Sequence, residues 1–258
     1  MAYETITLEE ADGIAVVTLN RPDVMNALNT KMRAEITEAV TKVAQTARVI
    51  VLTGTGRAFC SGQDLSDRAS GEEFDLERTL AEEYEPMLRA ILAAKVPFIA
   101  AVNGAAAGAG ANLALAADVV IAAESASFIQ AFARIGLIPD AGGTFVLPRA
   151  MGMSRAMGAA LFADKVTGRQ AADWGMIWEC VADDAFDSHW RARAKQLAEG
   201  PTQSYARIKE AMRASLASDI DAQLALEARL QGECGRTEDF REGVAAFLEK
   251  RPARFRGR

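Results

Sequence analysis

The sequence predicts an α/β domain followed by a helical C-terminal region, and two patterns lead to this fold class. A strand, a turn, a helix and a strand succeed one another twice in the first half of the chain, as in domains whose strand-end loops carry the chemistry. From Ser154 onward, helical patterns follow one another instead. We therefore predict a core with the functional site at residues 1–198 and a helical region at residues 199–258.

The chain opens with a predicted β-hairpin, because β-prone runs at residues 5–9 and 14–19 flank an Asp-Gly turn. Apolar and charged residues then alternate at helical spacing over residues 26–46. Short apolar runs bounded by turn residues predict strands at 48–53, 97–102 and 118–122. Two further core helices are predicted at 76–94 and 104–116.

The last third of the chain has six predicted helices, at 154–161, 168–174, 187–198, 202–217, 219–232 and 237–250. Thr202, Asp219 and Thr237 stand at predicted N-cap positions, where a side-chain oxygen accepts a hydrogen bond from the first turn. Acidic residues after Thr237 favour a helix start there, because they complement the helix dipole. We expect this region to form a lid or an oligomer surface.

Composition excludes several partners. The formal net charge of −6 argues against a general electrostatic grip on nucleic acid or on an anionic membrane. The N-terminus carries acids where a signal peptide needs basic residues. The most apolar stretch, residues 96–123, is rich in Ala and Gly and is interrupted by polar residues, so it predicts a core segment. We expect a cytoplasmic protein without nucleic-acid or membrane partners.

The cysteines and the histidine argue against a metal or disulfide framework. Cys60, Cys180 and Cys234 are odd in number and lack C-x-x-C spacing. His189 is the only histidine and stands in a charged, helix-like segment, where a structural or surface role is expected. We predict no metal site.

Glycine motifs leave one functional interpretation open. Gly108-x-Gly110 lacks the third glycine of a dinucleotide fingerprint, and Gly152-Met-Ser154 follows a Leu-Pro-Arg turn instead of the strand that a nucleophile elbow requires. No P-loop motif occurs. Small residues at a helix start leave backbone amides open to an oxyanion, but they also permit close helix packing. From the residues alone, both interpretations stand.

Asp140 is a lone carboxylate among apolar and glycine neighbours, Leu-Ile-Pro-Asp-Ala-Gly-Gly. Loss of solvation on folding raises a carboxyl pKa toward the range that is useful for proton transfer. Pro-Asp-x-Gly is also an ordinary turn sequence. The motif itself favours the turn.

Three ordered motifs together resemble the crotonase superfamily of enoyl-CoA hydratases and isomerases: Arg57–Leu65, Ala101–Gly110 and Gly136–Thr144. The resemblance extends over nearly the whole chain. It implies a crotonase-type spiral of ββα units with a helical C-terminal region, assembled as a homotrimer or homohexamer. It also implies an acyl-CoA substrate, of which coenzyme A is a part, so no separate cofactor is expected.

The resemblance also implies roles for particular residues. The backbone amides of Gln63 and Ala109 correspond to the family's oxyanion hole, in which one donor is worth roughly 3 kcal/mol of the barrier. Asn112 and Phe132 are implied substrate-binding residues as well. The implied contacts with the adenine end of coenzyme A are Val24, Met25, Cys60, Asp64, Leu65, Phe247 and Lys250.

The chain departs from the family's hydratases at their two glutamates, which are replaced here by Asn112 and Phe132. Neither side chain transfers a proton at neutral pH, which argues against ordinary hydration. Asp140 stands where those hydratases commonly have glycine. A single carboxylate is sufficient for an isomerase, because one group takes a proton from one carbon and returns it to another. We therefore predict that Asp140, Gln63 and Ala109 are catalytic.

Within the family, the motifs are most similar to those of isomerases that convert the ring 1,2-epoxide of phenylacetyl-CoA to an oxepin thioester. The resemblance therefore implies this reaction, together with a shift of 3-enoyl-CoA to 2-enoyl-CoA. The alternatives are an enoyl-CoA hydratase or 3,2-enoyl-CoA isomerase of fatty-acid oxidation, a silent CoA-binding scaffold, or a hydrolase. Phe128, Phe132 and Phe145 suggest an aromatic wall for a flat ring, although core packing is the commoner role of such residues.

Overall fold

Two β-sheets and the helices that connect them form the fold, described by a computed structural model for residues 3–66 and 75–258. The strands in this part of the chain are β1 (Ile6–Ala11), β2 (Ile14–Leu19), β3 (Val49–Gly54), β4 (Ala58–Cys60), β5 (Phe98–Val102), β6 (Ala105–Ala107), β7 (Val119–Ala123), β8 (Ser127–Ile129), β9 (Val166–Thr167) and β10 (Glu179–Val181). The α-helices are α1 (Thr30–Val43), α2 (Leu76–Thr79), α3 (Glu85–Ala93), α4 (Ala109–Leu115), α5 (Gly143–Met151), α6 (Met153–Phe162), α7 (Gly168–Asp173), α8 (Asp183–Ala198), α9 (Thr202–Ala214), α10 (Ile220–Cys234) and α11 (Glu238–Glu249).

The sheet order shows the predicted spiral. The larger sheet has the order β1-β2-β3-β5-β7-β10, and all of its pairs are parallel except β1 with β2. The smaller sheet has the order β4-β6-β8-β9. The pairs β3 and β4, β5 and β6, and β7 and β8 therefore each place their first strand in the larger sheet and their second in the smaller one, and helices separate these pairs. The prediction of a crotonase-type spiral of ββα units with a helical C-terminal region is confirmed.

The predicted hairpin is also present. Asp12 and Gly13 form its two-residue turn with φ of 52° and 78°, because a turn that matches the twist of the strands needs positive φ at both positions. The next strand, β3, is an uninterrupted apolar run, and Val49 to Leu52 are fully buried, as expected for a parallel strand covered on both faces.

Four local predictions are wrong for tertiary reasons. The alanines of β6 pair with β4 and β8, so the helix expected from residue 104 begins at Ala109. A π turn at Leu80–Tyr84 interrupts the helix expected at 76–94. The Leu-Pro-Arg turn is helical, since Pro148 lies inside α5. Thr202 follows the N-cap instead of forming it, and its hydroxyl accepts a hydrogen bond from Arg48.

Helices α9 to α11 make up most of the predicted C-terminal region, and polar contacts join α9 to the core. The Lys209 ammonium donates to the Ala94 and Val96 carbonyls and pairs with Asp118, each at 2.6 Å. Asp219 and Thr237 are N-caps, as predicted. The boundary at residue 198 stays a prediction. Over residues 3–66 and 75–258, we find no helix with the length and apolar character needed to cross a membrane.

Candidate active site

Two backbone segments meet at the corner where the sequence predicts an oxyanion hole, and we call Gly62, Gln63, Gly108 and Ala109 the oxyanion corner. Gly62 has φ of 94°, and a Cβ atom there would lie 2.7 Å from the Ala107 carbonyl oxygen and 3.4 Å from the Ala109 nitrogen. The segment after β4 therefore runs against the start of α4, as close as its backbone allows. Only glycine fits this approach.

Hydrogen bonds fix the backbone on both sides of Gln63. Leu28 donates to the Gly62 carbonyl at 2.7 Å and accepts from the Asp64 N–H at 3.0 Å. Within the described part of the chain, neither the Gln63 nor the Ala109 N–H has a protein acceptor. Ala109 is the first residue of α4, where helix geometry leaves the N–H free. Two adjacent free donors are the arrangement that a developing oxyanion requires.

The geometry of the neighbouring glycines is compatible with both interpretations that the sequence left open. Gly108 adopts φ 52° and ψ −128°, which turns the chain into α4. A Cβ on Gly110 would lie 2.3 Å from the Cys60 carbonyl oxygen, so Gly110 permits close packing of α4 on β4. The Gly108 turn frees the donor of the next residue, and Gly110 brings the helix against the sheet.

A buried clamp, which sequence reasoning missed, holds the Gln63 side chain. Its Oε1 accepts a hydrogen bond from the Tyr84 hydroxyl at 2.5 Å and another from the Arg33 guanidinium at 3.0 Å. Arg33 is 2% exposed and lies 4.8 Å from the Tyr84 ring centre. Burial raises the pKa of Tyr84 above its usual range, so its hydroxyl remains a donor. These contacts join α1 and the π turn, and no local motif predicts them.

Asp140 lies in a tight turn, so the turn expected from its motif is present. The Gly143 N–H donates to the Asp140 carbonyl at 2.8 Å. The two central residues, Ala141 and Gly142, have φ of 46° and 82°. Positive φ is uncommon for alanine and costs about 1 kcal/mol or more. The surrounding structure must therefore hold this turn in place.

The carboxylate of Asp140 has the properties that proton transfer needs. Its Oδ1 atom is buried and has no hydrogen-bond partner. Burial raises the pKa of Asp140 to about 6, although a hydrogen bond from its own backbone offsets part of the effect. A base with this pKa is ionised at neutral pH and still binds a proton readily.

Asp140 lies at the wall of a cavity of about 740 Å³, and the other residues that line this cavity are largely apolar. The charged side chains of Glu77 and Glu85 at its edge are exposed, so Asp140 is the desolvated carboxylate of this space. The lining residues are Leu76, Glu77, Leu80, Ala81, Tyr84, Glu85, Leu88, Arg89, Leu92, Leu137, Ile138, Pro139, Asp140, Ala141 and Gly142. Such a lining suits an apolar acyl group.

Asn112 and Phe132, at the positions of the hydratase glutamates, are both buried. The Asn112 amide donates to the Asp140 carbonyl at 2.8 Å and accepts from Gln130 at 2.9 Å. The Phe132 ring lies beside Gly108, 3.8 Å from the place of a Cβ atom there. Phe132 therefore borders the oxyanion corner, while the polar atoms of Asn112 contact protein groups. Their roles in substrate binding stay predictions.

The expected aromatic wall is not formed. Phe128 is 1% exposed and belongs to the hydrophobic core. Phe145 is 49% exposed, and the Arg149 guanidinium lies 3.7 Å from its ring centre. Of the three phenylalanines, Phe132 is the one beside the oxyanion corner. Core packing and the surface position of α5 account for the other two.

The residues expected to contact the adenine end lie partly on one surface. Val24, Met25 and Leu65 are 40%, 39% and 58% exposed, and Ser61 hydrogen-bonds the carbonyls of the first two. Cys60 is fully buried, and burial raises its thiol pKa to about 12.

Asp64 is 7% exposed and pairs with the Arg21 guanidinium at 2.8 Å. Burial opposes its ionisation, but hydrogen bonds from Ser66 and Arg21 prevail and lower its pKa. The charge of Arg21 is therefore already matched within the protein.

Phe247 lies on the last helix, α11, and Lys250 follows the end of this helix. Phe247 is 82% exposed at a groove of about 950 Å³ among α9, α10 and α11. Lys250 ends α11 with φ of 54°. Their predicted contact with an adenine group stays a prediction.

The described residues offer little for metal binding. Across residues 3–66 and 75–258, no group of three His, Cys, Asp or Glu side chains is placed to hold an ion. Cys60, Cys180 and Cys234 are free thiols. His189 hydrogen-bonds Glu179 at 2.9 Å on the surface of α8, in agreement with the expected structural role.

Comparison with known proteins gives the class to which this fold and site belong. The enoyl-CoA hydratase/isomerase family matches residues 9–258. The chain belongs to this family of enzymes, and the predicted resemblance is confirmed.

Individual relatives cover 95% or more of the chain. It is 63% identical to a Rhodobacter capsulatus protein named "Probable enoyl-CoA hydratase", over all of both sequences. It is 45% identical to the 1,2-epoxyphenylacetyl-CoA isomerase of Escherichia coli, over 95% of this chain and 96% of that enzyme. The crystal structure of enoyl-CoA hydratase from Bacillus anthracis matches with a TM-score of 0.93 and 30% identity, covering 99% of this chain and all of the other.

Proposed function

We propose that this enzyme is an acyl-CoA isomerase that converts ring 1,2-epoxyphenylacetyl-CoA to its oxepin isomer. The observation that carries the proposal is the single desolvated carboxylate, Asp140, in an apolar cavity. The similarity to the E. coli isomerase supports this choice of substrate. In this proposal, coenzyme A is part of the substrate and no separate cofactor takes part.

In the proposed mechanism, Asp140 acts as base and then as acid. Its carboxylate removes a proton from a carbon activated by the thioester, and negative charge develops on the thioester oxygen. The Gln63 and Ala109 N–H groups stabilise this enolate. The C–C bond shared by the epoxide and the six-membered ring breaks, which expands the ring to the seven-membered oxepin, and the protonated Asp140 returns the proton to a different carbon. The same cycle moves the double bond of a 3-enoyl-CoA to the 2-position, and no atoms are gained or lost.

Replacing the carboxylate tests the proposal. Asp140→Asn keeps the size of the side chain but removes the proton acceptor, so we expect at least a 1,000-fold loss of kcat with epoxyphenylacetyl-CoA and with 3-hexenoyl-CoA. Binding of the CoA thioester by calorimetry and the circular dichroism spectrum should remain unchanged. Asp164→Asn, at an exposed carboxylate, is the matched control. Turnover retained in Asp140→Asn would overturn the proposal.

The second candidate is an enoyl-CoA hydratase, because the 63% identical relative carries that name. Asn112 and Phe132 argue against it, since neither supplies an acid or a base. Crotonyl-CoA distinguishes the two reactions. A hydratase consumes its conjugated double bond, and the loss of ultraviolet absorbance measures this consumption. A 3,2-enoyl-CoA isomerase of fatty-acid oxidation uses the same Asp140 chemistry and is recognised by a preference for 3-hexenoyl-CoA over the epoxide.

We propose in addition that the chain assembles into a homotrimer or homohexamer and acts in the cytoplasm. Apolar side chains exposed on α6 and on α9 to α11 support the assembly, because large exposed apolar patches mark interaction surfaces. These side chains are Met153, Met157, Leu161, Phe162, Ile208, Met212, Ile220, Leu224, Phe240, Phe247 and Leu248. Light scattering coupled to gel filtration measures the mass, and a monomer would contradict the assembly.

A further inference from the structure

The carboxamide of Asn112 joins α4 to the Asp140 turn. Its nitrogen donates to the Asp140 backbone carbonyl at 2.8 Å, and its oxygen accepts from the Gln130 amide at 2.9 Å. Because a carbonyl oxygen only accepts hydrogen bonds, the first contact determines which end of the Asn112 amide faces Asp140. Asn112 and Gln130 are each 2% exposed, so the hydrogen bond between them is shielded from water.

Packing against Gly143 restricts Asn112 to this position. A Cβ atom on Gly143 would lie 2.3 Å from the Asn112 amide nitrogen and 2.8 Å from its Cγ. Gly143 also donates its N–H to the Asp140 carbonyl at 2.8 Å. The same oxygen therefore accepts one bond from within the turn and one from α4. The second bond helps to offset the strain of Ala141, whose φ is 46°.

The position of Asn112 on α4 connects the two halves of the proposed chemistry. Ala109, the first residue of α4, presents an oxyanion N–H, and Asn112 lies three residues later, nearly one turn along the same short helix. A single rigid element thus contacts the thioester oxygen at one point and the base-bearing turn at another. Displacement of the turn relative to α4 would move the carboxylate away from the reacting carbon.

We propose that Asn112, supported by Gln130, is a positioning residue that sets the Asp140 carboxylate relative to the oxyanion corner. This inference rests on the proposed function of Asp140. Asn112 itself contacts the turn, and it acts on the reaction through Asp140. The asparagine at a hydratase glutamate position then has a use of its own in this chain, beyond the loss of an acid or base.

A double-mutant cycle tests the role of Asn112. Asn112→Ala removes the bond to the turn, so we expect kcat to fall 10- to 100-fold while KM for the CoA thioester changes less than threefold. Gly143→Ala should cause a similar fall, because its methyl group displaces the Asn112 amide. The double variant should be no slower than the slower single variant, since the atoms that collide with the methyl group are gone.

Gln130→Met is the second variant, because it removes the hydrogen bond to Asn112 and keeps a side chain of similar size. We expect a 3- to 10-fold loss of kcat with unchanged KM. A folded Asn112→Ala or Gln130→Met enzyme with the kcat of the unmodified chain would overturn the inference, and so would multiplicative losses in the double variant. If Asp140→Asn is inactive in the same assays, such a result rejects the positioning role alone. An active Asp140→Asn enzyme rejects the proposed function itself.

Discussion

The oxyanion corner and the Asp140 turn are built in opposite ways. The corner presents main-chain N–H groups of Gln63 and Ala109, which any residue except proline supplies. The turn presents one side chain, and its chemistry disappears with that side chain. The corner therefore tolerates changes of residue type but not added atoms at Gly62. In the proposed mechanism, activity tolerates no change at Asp140.

The two regions also treat charge in opposite ways. The corner offers unpaired donors, which favour negative charge on a ligand oxygen. The turn places a carboxylate oxygen in a buried position without a partner, which disfavours negative charge and raises the pKa. In the proposed isomerase, the first proton transfer moves negative charge from the turn to the corner and the second returns it, so this difference favours the formation of the enolate.

After the loss of the Asp140 carboxylate itself, the largest effect is expected from an added atom at the corner. Gly62→Ala places a methyl group 2.7 Å from the Ala107 carbonyl oxygen, and the resulting shift misdirects the Gln63 N–H. We expect kcat to fall 100- to 1,000-fold, about the effect of losing one oxyanion donor. Steady-state kinetics with 3-hexenoyl-CoA measures it.

Gly56→Ala is the matched control for the corner. Gly56 has a similar positive φ of 77°, but its nearest neighbour, a side-chain carbon of Pro22, is 3.4 Å away. This variant carries the backbone strain without the collision, so its kcat should stay within about twofold. Equal losses in the two variants would show that strain, and not the donor geometry, determines the rate.

The next effect concerns the ionisation of Asp140. Because the carboxylate form removes the proton and the pKa of Asp140 is about 6, kcat/KM should be nearly constant above pH 7. Below pH 6 it should fall about tenfold per pH unit. The pH profile with 3-hexenoyl-CoA measures this limb. A profile that stays flat to pH 4.5 would exclude Asp140 as the base.

Stability provides an independent check on the same pKa. Since burial raises the Asp140 pKa, the folded chain holds this proton more tightly than the unfolded chain, and Asp140 destabilises the fold progressively as the pH rises from about 4 to about 6. Asp140→Asn should therefore be more stable than the unmodified chain at pH 7, by on the order of 1–3 kcal/mol. The difference should shrink toward pH 4. Thermal unfolding at both pH values measures it.

Local sequence predicts the features that depend on one or two neighbouring residues. The turn at Asp12 and Gly13, the caps at Asp219 and Thr237 and the turn at Asp140 all follow from local backbone preferences. The alanines of β6 show where prediction from local sequence fails. This run of residues favours a helix, but it forms a strand because β4 and β8 flank it.

In the candidate site, too, the residues that belong to local motifs are predicted, whereas the contacts between distant segments are not. The family motifs point to Gln63, Ala109 and Asp140, and an isolated carboxylate among apolar residues indicates a raised pKa. The contact of Asn112 with the Asp140 carbonyl joins residues 28 positions apart. Such a bond depends on the packing of α4 against the turn, and no spacing in the sequence encodes it.

The smallest effect is expected at Tyr84, which contacts both the cavity of Asp140 and the oxyanion corner. Tyr84 lines the cavity of Asp140 and donates to the Gln63 side chain at 2.5 Å. Tyr84→Phe removes this bond but leaves the one from Arg33 at 3.0 Å. We expect a 3- to 10-fold loss of kcat, since one net hydrogen bond contributes about 1 kcal/mol. Tyr205→Phe, which removes a hydroxyl from α9, controls for the loss of a hydroxyl elsewhere. If kcat is unchanged in Tyr84→Phe, the Arg33 bond is sufficient to hold the Gln63 side chain, and the Tyr84 hydroxyl has no role in positioning the donor at Gln63.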